Sequence, residues 1–182
     1  MRPLVTFLFC LTLLFSCRNT EQTNEVVEEG TPMNTTPRQA ADNNGSFSPP
    51  ISPGDSHNTS IITKDYWVIE FYVPFDDSYE KKMANKGRWY KFEKDGTFTC
   101  GQWQEDHSYG SWRYGRSQFN NLTIVADAKN DNLDAEWEFQ IGNQGTEMSW
   151  AGQQSFGVEA GTMAKAINLL TKPTKQQFGV EE

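Results

Sequence analysis

The stretch Leu133-Asp134-Ala135-Glu136-Trp137-Glu138-Phe139-Gln140-Ile141 decides the fold class of this chain. Apolar and polar side chains alternate along it without a fault, so the apolar ones share one face and the carboxylates and amide share the other. A period of two residues is typical of a β-strand that buries one face and leaves the other in solvent. The stretch therefore predicts an antiparallel sheet with one hydrophobic side.

Short stretches of the same kind lie on both sides of this strand, separated by turn residues. Asp95-Gly96 supplies the positive φ that a tight β-hairpin needs, and Gly142-Asn143-Gln144-Gly145 is a second turn. Gly101 indicates a bulge that would bring Trp103 to the inner face. The other predicted strands cover residues 66–73, 88–93, 97–105, 108–114, 122–126 and 146–151.

The strands follow one another mostly through hairpins, which is the order of an antiparallel meander. Closing the meander into a barrel removes exposed strand edges that would otherwise promote aggregation. The predicted fold class is therefore mostly β, an antiparallel up-and-down barrel of about seven or eight strands.

Two helices are predicted beside the strands. Asp77-Ser78-Tyr79-Glu80 has the pattern of a capping box, and Lys86-Gly87 suits the end of a short helix after the first strand. Residues 159–171 repeat apolar side chains at helical spacing and are followed by Pro173, which predicts a C-terminal helix.

The first residues, MRPLVTFLFCLTLLFSC, differ from everything that follows. A positive charge at Arg2 precedes an apolar run from Pro3 to Phe15. The run is too short to span a bilayer and has the length of a signal-peptide apolar region. Residues 1–16 are therefore predicted to be a signal peptide.

The junction Leu14-Phe15-Ser16-Cys17 resembles the lipobox of bacterial lipoproteins. The resemblance implies that Cys17 becomes the mature N-terminus and carries fatty-acyl chains such as palmitate, which anchor the protein to a membrane. Arg18 follows the cysteine instead of the Asp that retains lipoproteins in the inner membrane, so we expect the outer membrane, with the leaflet open. An ordinary secretory signal or an N-terminal anchor helix is the alternative.

Residues 17–60 have the composition of a disordered tether. They are rich in Pro, Gly, Ser, Thr and Asn, and Phe47 is their only aromatic residue. Such a segment cannot bury enough apolar surface to offset its ordering entropy. An ordered N-terminal domain is the alternative. The barrel domain is predicted to occupy residues 61–182, where all six Trp and all six Tyr lie.

The charge argues against nucleic-acid binding, and the cysteine content argues against an internal disulfide. The net charge of -8 argues against nucleic acid as a partner, because a phosphate backbone requires a basic face. Of three cysteines, Cys10 leaves with the signal and Cys17 takes lipid, so Cys100 stays alone. No internal disulfide is expected, and Cys100 is interpreted as a small core residue.

The sequence shows no catalytic set, metal site or cofactor motif, so we expect no enzyme. His107 lies among carboxylates in a predicted turn at residues 105–108, and adjacent turn residues rarely converge on a metal. His57 lies in the predicted tether. Asp76-Asp77 is not followed by a spaced calcium loop, so an N-cap is the better interpretation.

The aromatic residues are the one feature that predicts function. Inside a small barrel they either fill the core or line a pocket for one small ligand. Trp89 and Tyr66 lie on the opposite register and are expected to be exposed, where they would mark contact with a partner or glycan. The predicted inward set, and the candidate ligand-binding residues, are Trp67, Phe71, Phe98, Trp112, Trp137, Phe139 and Trp150.

Residues 61–171 resemble the lipocalin-like domains of many bacterial lipoproteins. The resemblance rests on Tyr66-Trp67, the hairpin 92–98, and Gly110-Ser111-Trp112 followed by Leu122-Thr123-Ile124. Lipocalins carry Gly-x-Trp on the first strand, and Asp65 stands where that glycine is expected. The resemblance implies a barrel with a ligand-binding interior.

Two function hypotheses follow from this pattern. The first is a membrane-tethered binder of a small apolar or aromatic ligand. The second is a structural or interaction module without a ligand cavity, whose barrel face docks another envelope protein or a polysaccharide. An open barrel interior would favour the first, and a filled interior with an exposed aromatic patch would favour the second.

Overall fold

The computed structural model describes residues 45–153 and 158–181. Eight antiparallel strands form a closed barrel in which each strand pairs with its sequence neighbours and the last strand pairs with the first. The mostly β barrel that the sequence predicts is confirmed. The strands are β1 (Tyr66–Val73), β2 (Arg88–Phe92), β3 (Thr97–Gln102), β4 (Glu105–Arg116), β5 (Leu122–Ala128), β6 (Ala135–Ile141), β7 (Glu147–Gly152) and β8 (Met163–Leu169).

Four short helical elements accompany these strands in the described part of the chain. The α-helices are α1 (His57–Ile62), which precedes β1, and α2 (Tyr79–Asn85), which lies between β1 and β2. Single 3-10 turns cover Asp131–Leu133 and Gln176–Phe178.

The strand β6 follows the alternation of its sequence. Ala135, Trp137 and Phe139 are buried, while Glu136 and Glu138 between them are partly exposed. A pleated strand sends successive side chains to opposite faces, so the buried set points into the barrel. The β6 prediction is confirmed from residue 135 onward.

Large and small side chains complement one another inside the barrel. The strands β5 and β8 contribute alanines, which leaves room for the aromatic rings of the other strands. Each large side chain removed from water contributes about 1.5–3 kcal/mol. The largest fully buried interior side chains are Trp67, Phe92, Phe98, Trp112 and Trp150.

The helix α1 packs across one end of the barrel. Ser56 caps it by accepting a hydrogen bond from the Thr59 amide, and Ser56 also pairs with the Tyr114 hydroxyl at 2.6 Å. Ile62 at the end of the helix is fully buried in the same core as Trp67. These contacts fix α1 at the end of the barrel where β1 begins.

Residues 45–60 lie along the barrel instead of forming a disordered tether. The Ser48 amide and hydroxyl both donate to Asp127 Oδ2, at 3.0 and 2.7 Å. The Phe47 ring packs edge-on against Tyr109 at 5.8 Å. Composition does not reveal these contacts because they are individual polar and ring pairs, not a buried apolar stripe. Residues 1–44, with the predicted signal peptide and Cys17, lie outside the described residues.

The predicted C-terminal helix at residues 159–171 is wrong, because Met163–Leu169 forms β8. Ala164 and Ala166 are buried, with the exposed Met163 and the partly exposed Lys165 on the opposite face. A short apolar run fits either period, and the topology decides. Without β8, the edges of β1 and β7 would stay unpaired.

Two local predictions around β3 and α2 also need correction. A bulge does lie between Cys100 and Gly101, but Trp103 belongs to the β3–β4 turn with φ 53° and packs against Phe178. Residues 105–108, predicted as a turn, open β4. The N-cap of α2 is Ser78, one residue after the predicted cap, because its hydroxyl accepts from the Lys81 amide.

Candidate functional site

The two ends of the barrel differ. The helix α1 occupies the end where β1 begins, and the opposite end, here called the far end, is where β1 stops and β2 begins. The β1–β2 connection with α2 and residues 158–162 of the β7–β8 connection both lie at the far end. Lys81 of α2 bridges to Glu159 of the β7–β8 connection at 3.4 Å, which ties the two connections together.

Four aromatic rings form a continuous wall toward the far end, here called the aromatic wall. Tyr72 of β1 lies edge-on to Trp137 of β6 at 6.4 Å. Trp137 lies 5.6 Å from Trp150 of β7, which lies 5.6 Å from Tyr90 of β2. Such offset and edge-on pairs are favourable beyond the area they bury. The four rings therefore form one connected apolar cluster inside the barrel.

Trp137 differs from the other buried tryptophans in its hydrogen bonding. Its indole Nε1 is fully buried and has no hydrogen-bond partner among the described residues. A buried donor without a partner typically costs about 1–3 kcal/mol, so such groups are rare in folded proteins. Every other buried indole donates, namely Trp67 to Ile62 O, Trp89 to Trp103 O, Trp112 to Glu93 O and Trp150 to Met148 Sδ.

Arg88 begins β2 on the same face as Tyr90. Trp89 between them faces away from the barrel interior, since it contacts Gly101 and Lys172 outside the interior core. Arg88 is half-buried and Tyr90 is buried. Alternation along the strand therefore places the guanidinium at the far end of the interior, next to the aromatic wall.

The electrostatics of neighbouring groups agree with this position of Arg88. Burial raises the pKa of Tyr90, and the charge of the adjacent Arg88 acts in the opposite direction. The same pair of causes acts on Tyr72, where burial also raises the pKa. Burial raises the pKa of Cys100 to about 11, again with Arg88 opposing it. The positive charge of one guanidinium therefore acts on three inward groups that lie on three strands.

Cys100 is a core residue and not a nucleophile at neutral pH. The thiol is buried, and its raised pKa keeps it protonated. A thiolate is the reactive form, so the site offers no activated cysteine. Within residues 45–153 and 158–181, no group of His, Cys, Asp and Glu side chains could hold a metal ion.

The structure divides the seven predicted ligand-binding residues into groups. Trp137 and Trp150 belong to the aromatic wall, and Phe139, which pairs with Trp150, is buried in the middle of β6. The three nearer α1 pack as core, as Trp67 shows by its bond to Ile62 O. The members of that core group are Trp67, Phe98 and Trp112.

Phe71 is the exception, because the prediction that it faces inward is wrong. Its side chain is 61% exposed. The pairing of β1 with β8 shifts register between Ile69 and Phe71, and this irregularity exchanges the two faces of the strand. Tyr72 turns inward in its place and joins the aromatic wall. Strict alternation had placed Tyr72 outside, and no glycine marks the bulge.

The predicted exposure of Trp89 is also wrong. Trp89 faces outward but is fully buried, since its Nε1 donates to Trp103 O at 2.9 Å and Lys172 lies 4.9 Å above its ring. Tyr66 packs edge-on against Trp89 at 5.3 Å and is half-buried. Gln104 holds the C-terminal segment over this surface by donating to Pro173 O at 2.9 Å. The predicted partner surface is therefore occupied by the chain itself.

A separate apolar surface lies on the outer wall near the far end, here called the rim patch. Val73 of β1 pairs with Met163 of β8, and Phe71 and Phe75 lie beside them. All four side chains are exposed. A groove of about 310 Å³ adjoins the patch between Phe71 and Phe178.

Three comparisons with known proteins find no match for this chain. No protein-family model matches it, and neither the curated proteins nor the solved structures contain a significant match. Across the described residues, no helix is long and apolar enough to cross a membrane.

Proposed function

We propose that this protein is a lipid-anchored envelope lipoprotein whose lipocalin-like barrel binds a small apolar or aromatic ligand at the far end. Binding, not catalysis, is the proposed activity. The observation that carries the proposal is the buried Trp137 Nε1 without a partner, set within a wall of aromatic rings. Binding pockets characteristically combine apolar walls with a few polar groups that orient the ligand.

The unpaired Trp137 indole supports a ligand because the other buried indoles of the described residues all have acceptors. The four other buried tryptophans each donate to an acceptor in this barrel, so an unpaired indole N–H is not a general property of the fold. An acceptor atom on a bound ligand would complete Trp137. Ala164 of β8, which pairs with Trp150, adds only a small side chain to the adjoining surface.

Two features near β1 support the lipocalin-like part of the proposal. Asp65 has φ 48°, the backbone region that glycine favours, at the position where lipocalins carry glycine. Trp67 two residues later donates to α1, which lies across that end of the barrel. The envelope location rests on the sequence, through the signal peptide at residues 1–16 and the lipid on Cys17, and an outer-membrane anchor is part of the proposal.

A neutral fluorescent probe tests the binding activity. N-phenyl-1-naphthylamine is titrated into the full chain carrying Cys17→Ala, which keeps acyl chains out of the assay. Saturable binding with quenched Trp emission is expected. Ala164→Leu should weaken binding, because Ala164 faces inward opposite Trp150, whereas Met163→Leu on the outer face should not. Absence of saturable binding would refute the proposal.

The rim patch favours a second candidate, an interaction module that docks another envelope component. Contiguous exposed apolar side chains such as Phe71 and Phe75 often mark interaction sites. In that case the barrel is filled, so Ala164→Leu should be destabilised by about 1–3 kcal/mol through overpacking. A folded Ala164→Leu variant of unchanged stability would favour the ligand-binding function instead.

A further inference from the structure

We infer that the ligand carries an acidic oxyanion, such as a carboxylate or sulfonate, and that Arg88 binds this group inside the far end of the barrel. This inference rests on the proposed ligand-binding function and names the chemical class of its ligand. The three observations behind it are the inward position of Arg88, its lack of a counter-ion, and the surplus of donors around it.

Arg88 lies on the interior side of β2 and has no ion-pair partner among residues 45–153 and 158–181. Within the described part of the chain, every salt bridge is made by other cations. A cation withdrawn from water is expensive unless an anion or several acceptors compensate it. The groups facing it are the Tyr72 hydroxyl of β1 and the Cys100 thiol of β3 on the neighbouring strands and the Tyr90 hydroxyl of its own strand, all neutral at pH 7.

The carboxylates whose charges act on Tyr72 and Cys100 are engaged elsewhere. Glu159 of the β7–β8 connection pairs with Lys81 at 3.4 Å. Asp106 at the start of β4 pairs with Lys172 at 2.8 Å. Both acidic side chains are exposed at the rim and have their own cations. The positive charge of Arg88 therefore remains available to a ligand.

The polar groups around Arg88 are predominantly donors. The guanidinium offers N–H groups only, and the buried Trp137 Nε1 adds another donor without an acceptor. The Tyr90 hydroxyl accepts from Arg88 and can still donate its own proton, and the Tyr72 hydroxyl shares a hydrogen bond with Thr162. A carboxylate or sulfonate is an acceptor-only group, so it complements this set, while the aromatic wall contacts an apolar body. A neutral ligand would leave the charge of Arg88 uncompensated.

Two dyes with the same ring skeleton separate the acidic group from the apolar body. 1-Anilinonaphthalene-8-sulfonate carries a sulfonate, and N-phenyl-1-naphthylamine lacks it. Arg88→Gln should weaken binding of the sulfonate dye by about tenfold or more, as expected for a lost charge-assisted hydrogen bond. Binding of the neutral dye should change by less than about twofold, because the aromatic wall stays in place. All proteins carry Cys17→Ala, so any dye taken up elsewhere is equal among them.

Matched variants separate the loss of the Arg88 guanidinium from the loss of any positive charge. Arg113→Gln removes the same charge from the exposed outer face of β4 and should leave both dyes unaffected. Arg88→Lys retains the charge without the guanidinium fork and should give intermediate sulfonate affinity.

Where Arg88→Gln does not fold, Tyr72→Phe provides the test, because it removes one hydroxyl and keeps the ring. A smaller loss confined to the sulfonate dye is then expected.

The outcomes distinguish the inference from the proposed function. Equal effects of Arg88→Gln on both dyes, or no effect on either, would overturn the anionic-ligand inference and leave ligand binding intact. If neither dye binds saturably to the parent protein, the ligand-binding function fails and the inference fails with it. A selective loss of the sulfonate dye supports both.

Discussion

The indole N–H of Trp67 donates to the backbone carbonyl of Ile62 at 2.9 Å, and both side chains are fully buried. This contact joins α1 to the first strand and places a hydrophobic side chain over one end of the barrel. A six-residue helix has little stability of its own, so it depends on such tertiary contacts.

Truncation of Ile62 should therefore destabilise the whole domain. Ile62→Ala is expected to lower the free energy of unfolding by about 2–4 kcal/mol, because it opens a cavity in the core. Ile51→Ala, at a side chain that is 75% exposed, should change it by less than about 0.5 kcal/mol. Urea denaturation followed by Trp fluorescence measures both, and equal stabilities would show that α1 is not part of the cooperative core.

The hydrogen bonding of two interior tryptophans predicts opposite sensitivities to Phe. Trp112→Phe removes the indole hydrogen bond to Glu93 O at 2.8 Å and leaves that carbonyl with only the Gly96 amide as donor, which costs about 0.5–1.5 kcal/mol. Trp137→Phe removes a buried donor that has no protein partner, so its cost should be smaller by about 1 kcal/mol or more. Chemical denaturation without ligand compares the two variants. A larger loss for Trp137→Phe would contradict the orphan state of its indole.

Some elements of this barrel are predictable from sequence because their signals are local. β6 alternates residue by residue, and the Asp95-Gly96 turn carries its own backbone requirement, so both appear in the structure. β8 is different. Its apolar spacing fits a helix equally well, and only pairing with β1 and β7, about 95 and 15 residues away, selects the strand.

The candidate site was only partly predictable for a related reason. Trp137 and Trp150 follow from alternation, but Tyr72 depends on the register shift in β1, for which the sequence has no glycine or other marker. Trp89 shows the opposite error. Its outward direction follows from alternation, yet its burial depends on the C-terminal segment folding across it. Tertiary contacts of this kind leave no trace in a local pattern.

Lipidation is predicted to hold the protein on a membrane through Cys17. Cys17→Ala should move the protein from the membrane fraction to the soluble fraction and abolish labelling by a fatty-acid analogue, because the acylated side chain is missing. Cys10→Ala is the matched control, since Cys10 belongs to the predicted signal peptide and should leave both readouts unchanged. Membrane retention of Cys17→Ala would show that another part of the chain is the anchor.

Alkaline pH should weaken the fold through Cys100. Its pKa is raised from 9.0 to about 11 by burial, so the folded state holds the thiol proton more tightly than the unfolded state does. The stabilisation is complete below about pH 9 and is lost as pH rises toward 11, because the unfolded chain ionises first. The loss attributable to this thiol should be about 2–3 kcal/mol. Burial raises the pKa of Tyr90 as well and adds to the decline at higher pH.

Cys100→Ala isolates this contribution. The variant loses some packing at every pH, but its free energy of unfolding should decline less than that of the parent between pH 9 and 11, since the ionising group is gone. Urea denaturation at half-unit pH steps measures the difference between the two curves. Parallel curves would mean that the thiol ionises equally easily in both states, which would contradict its burial inside the barrel.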